Sequence, residues 1–339
     1  MEKQPFGILP SGEKAFLYTI RSGAMTAQIT DFGATLVRLY VPDRAGKLAD
    51  VVLGFSDANE YLNSTTYFGA TVGRNANRIA GASFCMGDKK IVLDSNNGRN
   101  NLHSGRRSFA FRMWNVEQWE QASITFSIES PNGDQGFPGN ARVWVTYTLG
   151  SDGSLELRYE GICDQDTVLN LTNHSFFNLA GHDNPQLAMD QVLMMPARFF
   201  TAVDEQLIPT GEKRPVAGTP MDFRVPKPIG SHIHEDYDAV KLQGGYDHNF
   251  EVFTEPAAIL SDPVSGRTMA VVTDCPGIQL YSGNYLNGEK GKDGVIYCGR
   301  SGVCLETQFW PDAVHHPDWP QPVVKAGERY HSQTKYIFK

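Results

Sequence analysis

The sequence lacks any hydrophobic run approaching the ~18 apolar residues that a membrane-spanning helix requires. Its start, Met1-Glu2-Lys3-Gln4-Pro5, leads into no apolar segment, so no secretory leader is predicted. Basic charge is neither abundant nor pooled. In 339 residues, 30 Lys+Arg face 38 Asp+Glu, a formal charge of −8. The densest basic spots are the pairs Lys89-Lys90 and Arg106-Arg107. A nucleic-acid partner needs a cationic face to neutralise phosphates, and this balance argues against one. Cysteine is scarce as well. Cys85, Cys163, Cys275, Cys298 and Cys304 are odd in number, scattered and without a CxxC pair, which predicts reduced thiols and neither a disulfide framework nor a zinc ribbon. A cytoplasmic protein with no membrane and no nucleic-acid partner is the expectation.

Helical periodicity is nearly absent; only 57–62 reads as a short helix. Strand signals fill the chain instead. Across Ala141–Leu149, Val143, Val145, Tyr147 and Leu149 alternate with Arg142, Trp144, Thr146 and Thr148, the period of a strand with one buried face. Leu155, Leu157 and Tyr159 alternate with Glu156, Arg158 and Glu160, and the turn residues Gly150-Ser151-Asp152-Gly153-Ser154 between them predict a hairpin. Further strands are predicted at Met25–Thr30, 36–41, 123–129, 168–172, 269–273, 278–282, Val303–Gln308 and 336–338. The polar segment 287–301 reads as a surface loop. With 33 Gly and 19 Pro spread evenly and no break in composition, residues 1–339 are expected to form one all-β domain, a large antiparallel β-sandwich.

Five islands interrupt this pattern with residues of catalytic type. Gly73-Arg74-Asn75-Ala76-Asn77-Arg78-Ile79-Ala80-Gly81 offers amide and guanidinium donors for hydroxyls or anions, although a solvated loop is the favoured reading of this fragment alone. Asn100-Asn101-Leu102-His103-Ser104-Gly105 places a lone histidine in a turn, where it is more often structural. In Leu171-Thr172-Asn173-His174-Ser175-Phe176-Phe177 a histidine breaks an apolar strand; alternation puts Thr172, His174 and Phe176 on one face. A satisfied core histidine and a catalytic one weigh about equally there, since an unpaired buried imidazole costs about 1–3 kcal/mol. Gly245-Tyr246-Asp247-His248-Asn249 reads by default as turn chemistry. Glu306 sits mid-strand on the face of Cys304 and Gln308, where structural pairing with an arginine competes with catalysis. His232-x-His234 and His315-His316 carry no third ligand at a recognisable spacing, so metal is the weaker reading. No Gly-x-Ser-x-Gly elbow and no phosphate-binding glycine loop is present.

Taken in order, the islands resemble the galactose mutarotase (aldose 1-epimerase) family. The similarity runs through GRNANRIAG at 73–81, NLHSG at 101–105, NGDQGFPG at 132–139 and LTNHSFFNLAG at 171–181. It continues through VDEQLIPTGE at 203–212, YDHNF at 246–250, PGIQLYSGNYL at 276–286 and CLETQFWPDA at 304–313. The resemblance implies a mutarotase-type sandwich with a sugar cleft, acting on free aldohexoses such as galactose and glucose as a monomer or homodimer. It implies His174 as general acid and Glu306 as general base, with Asn77, Arg78, His103, Phe176, Asp247 and Gln279 at the substrate. No cofactor and no metal are implied, because neither hydride nor phosphate moves. Ser104 stands where glycine is common, Phe176 where tyrosine often follows the histidine, and His315 where asparagine is frequent; the first two bear on sugar preference. Phe309 or Trp310 is a candidate to cover an apolar face of the sugar, with ordinary core packing the favoured reading for at least one of them. The competing readings are a glycosidase using Asp247 and Glu306, a non-catalytic sugar-binding module and a hexose-6-phosphate epimerase. The first leaves His174 idle, the second needs no acid–base pair, and the third needs a cationic pocket.

Overall fold

The computed structural model describes residues 1–339, the side chain of Leu187 apart. Two antiparallel sheets face each other across the main core. In the larger, Asn115–Trp119, Ser123–Ser130, Ala141–Leu149 and Ser154–Cys163 form a meander. The C-terminal strand Arg329–Phe338 then pairs with Ser154–Cys163 on one side and Thr268–Thr273 on the other, so the chain end is inserted mid-sheet. Ala258–Ser261, Val192–Met194 and Lys227–Pro228 complete the nine strands. The predicted hairpin is present: Gly153 takes φ +79 in its turn, and the Gly150 N–H donates to the Ser154 carbonyl. Val143, Val145, Tyr147 and Leu149 are buried as the alternation requires.

The second sheet has the order Phe176–Phe177, Val303–Gln308, Gly277–Tyr281, Asp247–Glu251, Phe199–Val203, Pro209–Pro215. Its inner face gives Phe177, Val303, Leu305, Ile278, Leu280, Phe250 and Phe200 to the core shared with Val145, Leu157, Tyr159 and Val271. Each such side chain, fully buried, contributes about 1.5–3 kcal/mol. Thr307, next on that face, reaches Thr334 of the facing sheet through its hydroxyl. Period-2 alternation therefore turns Cys304, Glu306 and Gln308 to the opposite face, as predicted.

A five-stranded meander from Glu2–Ile8 to Leu48–Asp50 flanks the two sheets. The short helix spans Ala58–Leu62, one residue inside the predicted 57–62, because Asp57 caps it: its carboxylate accepts from the Asn59 N–H while Glu60 reaches back to the Asp57 N–H.

Two expectations need correction. The run 168–172 is not one strand: Thr167–Val168 pairs with Val323–Val324, and Thr172–Asn173 pairs with Thr71–Val72. The apolar side chains Leu169 and Leu171 between them enter the core without a ladder of their own. Nor is 287–301 a plain surface loop. Asn287–Lys290 and Ile296–Cys298 form a hairpin, and the Lys292 side chain at its tip is wholly buried. Its ammonium donates to the Val37 and Val52 carbonyls and to Asp50, which satisfies all three N–H groups.

Candidate active site

On the outward face of the six-stranded sheet, His174, Glu306, Asp247, Arg78, Asn77 and His103 line one cavity of about 160 Å³. A larger depression of about 940 Å³ elsewhere, between Glu129 and Gly327, brings together no comparable set of acids and imidazoles.

Glu306 is 2% exposed, and its Oε2 is buried with no hydrogen-bond partner. The structural alternative for this carboxylate, pairing with an arginine, is thus not what holds Oε2. His174 Nε2 lies 3.8 Å away. His174 sits where Thr172–Asn173 hands over to Phe176–Phe177, two short strands with different partners, so the ring is carried by a switch point between ladders. Asn173 turns the other way, donating to the Gly69 carbonyl and the Tyr147 hydroxyl. The alternation read from sequence is borne out.

Desolvation dominates the electrostatics. Burial, followed by the like charge of Asp247, pushes the Glu306 carboxyl well above its usual range, and Arg78 opposes the shift. Burial pulls His174 down to about 4. Each charge is disfavoured alone while the two favour each other, so the pair acts as one unit holding a single proton across neutrality. Asp247 is raised by burial, against which Arg78 and a Gln279 hydrogen bond act.

The two loops that supply the donors are locked together. The Asn77 N–H donates to His103 Nδ1 at 3.1 Å, and the His103 N–H returns a bond to the Asn77 carbonyl at 3.0 Å. Both residues have positive φ, +61 and +51. With Nδ1 accepting, the proton of neutral His103 is assigned to Nε2, and burial keeps the ring neutral by pulling its pKa well below the ordinary value. The residue therefore offers the cavity a donor. That tautomer also opposes a metal: His103, His174 and Glu306 hold donor atoms within 4.8 Å of one another, but Nε2–H of His103 presents no lone pair to a cation. Arg78 is anchored by Nε to Asn97 and, through its carbonyl, by the Asp312 N–H.

Other residues predicted from sequence fall elsewhere. Gln279 is not among the side chains lining the cavity; its Nε2 donates to Asp247 Oδ1 at 2.7 Å, one step behind the front row. Phe176 does line the cavity and stacks with His174 at 5.2 Å. Neither Phe309 nor Trp310 is part of the lining: Phe309 packs on the main core, and Trp310 joins Ala313 and Trp319 in a separate cluster. The aromatic walls are Tyr67, Tyr281 and Tyr285. The last two lie inside the motif at 276–286, so that signal was available; Tyr67 lies outside all eight motifs. Of the two arginines at 73–81 only Arg78 reaches the site. Arg74 is 1% exposed and donates to the carbonyls of Ser130, Pro138 and Gly139 and the hydroxyls of Ser130 and Thr167. The motif at 132–139 thus serves as a clamp for Arg74. Ser104 holds the Asn75 backbone through its hydroxyl, and His315 binds Asp312.

This arrangement, a β-sandwich carrying a buried carboxyl and an imidazole over one small polar cavity, defines a class of fold that known proteins share. A model of the family described as aldose 1-epimerase matches residues 17–337. The galactose mutarotase of Sus scrofa is 44% identical over 339 residues, covering 98% of this chain and 97% of that protein. The aldose 1-epimerase of Escherichia coli K12 is 34% identical, with 98% and 97% covered. The crystal structure of a GalM/aldose epimerase homologue from C. elegans superposes with a TM-score of 0.88 at 31% identity, covering 96% of this chain and 99% of that one. The chain belongs to the aldose 1-epimerase family. It is an isomerase that interconverts the anomers of sugars.

Proposed function

We propose that His174 is the general acid and Glu306 the general base of this isomerisation, acting on the pyranose forms of free aldohexoses including galactose and glucose. The observation that carries the reading is the unpartnered Oε2 of Glu306, 3.8 Å from His174 Nε2 in a shared cavity. Glu306 takes the proton of the C1 hydroxyl as His174 delivers one to the ring oxygen. The C1–O5 bond breaks and C1 becomes an aldehyde. A half-turn about C1–C2 presents the other face, and closure returns both protons. The open-chain stage leaves one proton on Glu306 and none on the imidazole beyond its own N–H. That is the uncharged pair which burial favours, so the intermediate is stabilised by the same desolvation that raises one pKa and lowers the other.

Arg78, Asn77, His103 and Asp247 hold the hydroxyls and ring oxygen, and Gln279 fixes Asp247. Phe176 supports the His174 ring from below the sugar. The same reading takes residues 1–339 as one domain, supported by the family match over 17–337. It places the protein in the cytoplasm, supported by five free cysteines, and as a monomer or homodimer. No described helix is long and apolar enough to cross a membrane.

Polarimetry of freshly dissolved α-D-galactose and α-D-glucose tests the reading. His174→Asn and Glu306→Gln should each lose about 10²–10⁴-fold in kcat while remaining folded. A Glu306→Gln enzyme that equilibrates the anomers at the wild-type rate removes the base assignment.

A further inference from the structure

Cys304 stands two residues before Glu306 on the same face of the strand Val303–Gln308, and it pairs in register with Phe176. Its side chain is wholly buried, and its Sγ lies 3.6 Å from Nδ1 of His174. We propose that Cys304 is a positioning residue: its sulfur accepts from Nδ1–H, so that the neutral His174 ring keeps its hydrogen on Nδ1 and turns the lone pair of Nε2, the nitrogen that gives and regains the catalytic proton, towards Glu306 and the cavity. The inference rests on the acid role of His174 and adds what sets its tautomer.

Three observations support it. The ring stacks with both Tyr67 and Phe176, at 5.8 and 5.2 Å with interplanar angles of 20°, so its plane is held and the remaining choice is which nitrogen bears hydrogen. Burial, with Glu306 and Asp247 nearby, pushes the Cys304 thiol well above its usual pKa, so an uncharged sulfur and not a thiolate stands beside Nδ1 at neutral pH. The other groups that meet the ring, His103 and Tyr281, approach edge-on. A thiol suits both stages of the cycle, because Nδ1 bears hydrogen in the imidazolium and in the neutral ring it leaves behind, and sulfur accepts from it in each. A carboxylate in that place, as behind the histidine of a serine-protease triad, stabilises the imidazolium and weakens it as an acid. A weakly accepting sulfur does so far less, and His174 stays ready to release its proton to the ring oxygen.

The test combines histidine ring ¹⁵N correlation spectra with polarimetric kcat and KM, on the wild type, His174→Asn, Cys304→Ala and Cys304→Ser. His174→Asn assigns the resonances. The wild-type spectrum should show the Nδ1–H tautomer for His174. Cys304→Ala should mix the tautomers and lower kcat about ten-fold with KM unchanged, the rate equivalent of one net hydrogen bond. Cys304→Ser, which keeps an acceptor, should recover both. An Nε2–H tautomer in the wild type, with His174→Asn inactive, overturns this inference alone. So does a Cys304→Ala enzyme with wild-type tautomer and kcat. Full activity of His174→Asn overturns the acid role and this inference with it. Should Cys304→Ala fail to fold, the wild-type spectrum and Cys304→Ser decide.

Discussion

Glu306 Oε2 and His174 Nε2 lie 3.8 Å apart, near enough to act on one small molecule and too far for a good hydrogen bond to each other. The gap has an energetic consequence. A carboxylate buried to 2% exposure with an unpaired oxygen is a cost that the fold carries.

That cost predicts that Glu306→Gln stabilises the protein. The folded pKa of Glu306 is raised, so between its unfolded value near 4.5 and the folded one the native state binds more protons than the unfolded state. Stability therefore falls as pH rises through that window. The glutamine variant has no such loss. Thermal or urea unfolding at pH 7 should find it more stable by about 1–3 kcal/mol, with the difference vanishing below about pH 4. A variant less stable than wild type at neutrality would contradict the proposed strain.

The same pair sets the pH dependence of the rate. It works with one proton between its members, so activity falls on the acid side when a second proton binds and on the alkaline side when the first is lost. The acid limb should lie near pH 4, where burial has moved His174, well below an ordinary imidazole. Asp247→Asn removes the like charge that, after burial, holds Glu306 up; its alkaline limb in kcat should move to lower pH. An alkaline limb that stays in place or moves up would dissociate Asp247 from the titration.

Two arginines four residues apart should fail in opposite ways. Arg74→Lys keeps the charge but offers three donors where five N–H groups met carbonyls and hydroxyls, so roughly 3 kcal/mol of stability should be lost. Arg78→Lys leaves the Arg74 clamp intact and should raise KM at least about ten-fold with little change in unfolding midpoint. Denaturation curves and initial rates on both variants separate the roles. If Arg74→Lys changes KM alone, the division drawn between them is wrong.

This division marks where the sequence was legible. Strands with one wet and one dry face, such as Ala141–Leu149, announce themselves by alternation, and so does the outward turn of Glu306. Strands dry on both faces or edge-exposed do not. Asp247–Glu251 is almost wholly buried, and Glu2–Ile8 almost wholly exposed with Pro5 within it, so neither shows a period of two. Within the site, His174 and Glu306 are readable because their residue types are out of place in a strand, whereas His103 and Asp247 read as turn chemistry and only the family resemblance puts them at the substrate. The resemblance puts Gln279 at the substrate, and a motif, which says which residues recur and not which stand in front, leaves its bond to Asp247 unread. Phe309 and Trp310 follow the alternative read beside their sugar-facing role, core packing, and the aromatic walls come from elsewhere. An aromatic residue in a β-rich chain is ordinary core, and only the tertiary path of the chain brings Tyr67 to the cleft.

Lys292 was the least legible of all, since a lysine in Asn287-Gly288-Glu289-Lys290-Gly291-Lys292 reads as solvated surface. Its ammonium is 2.6 Å from Asp50, both side chains being at most 3% exposed, and desolvation lowers its pKa to about 8 against the pull of that carboxylate. Removing one partner strands the other charge in the interior. Lys292→Met should therefore cost about 3–5 kcal/mol, and the double variant Lys292→Met/Asp50→Asn should recover part of it by taking away the orphaned carboxylate. The pH dependence carries a second signature. A lysine whose folded pKa is lowered binds fewer protons in the native state between about 8 and its model value of 10.5, so its contribution makes stability rise with pH there, and Lys292→Met should lose that rise. Urea unfolding from pH 7 to 10.5 on the three proteins measures both effects. A single variant as stable as wild type would mean that Asp50 finds enough compensation from Arg38, 3.4 Å away, to stand alone.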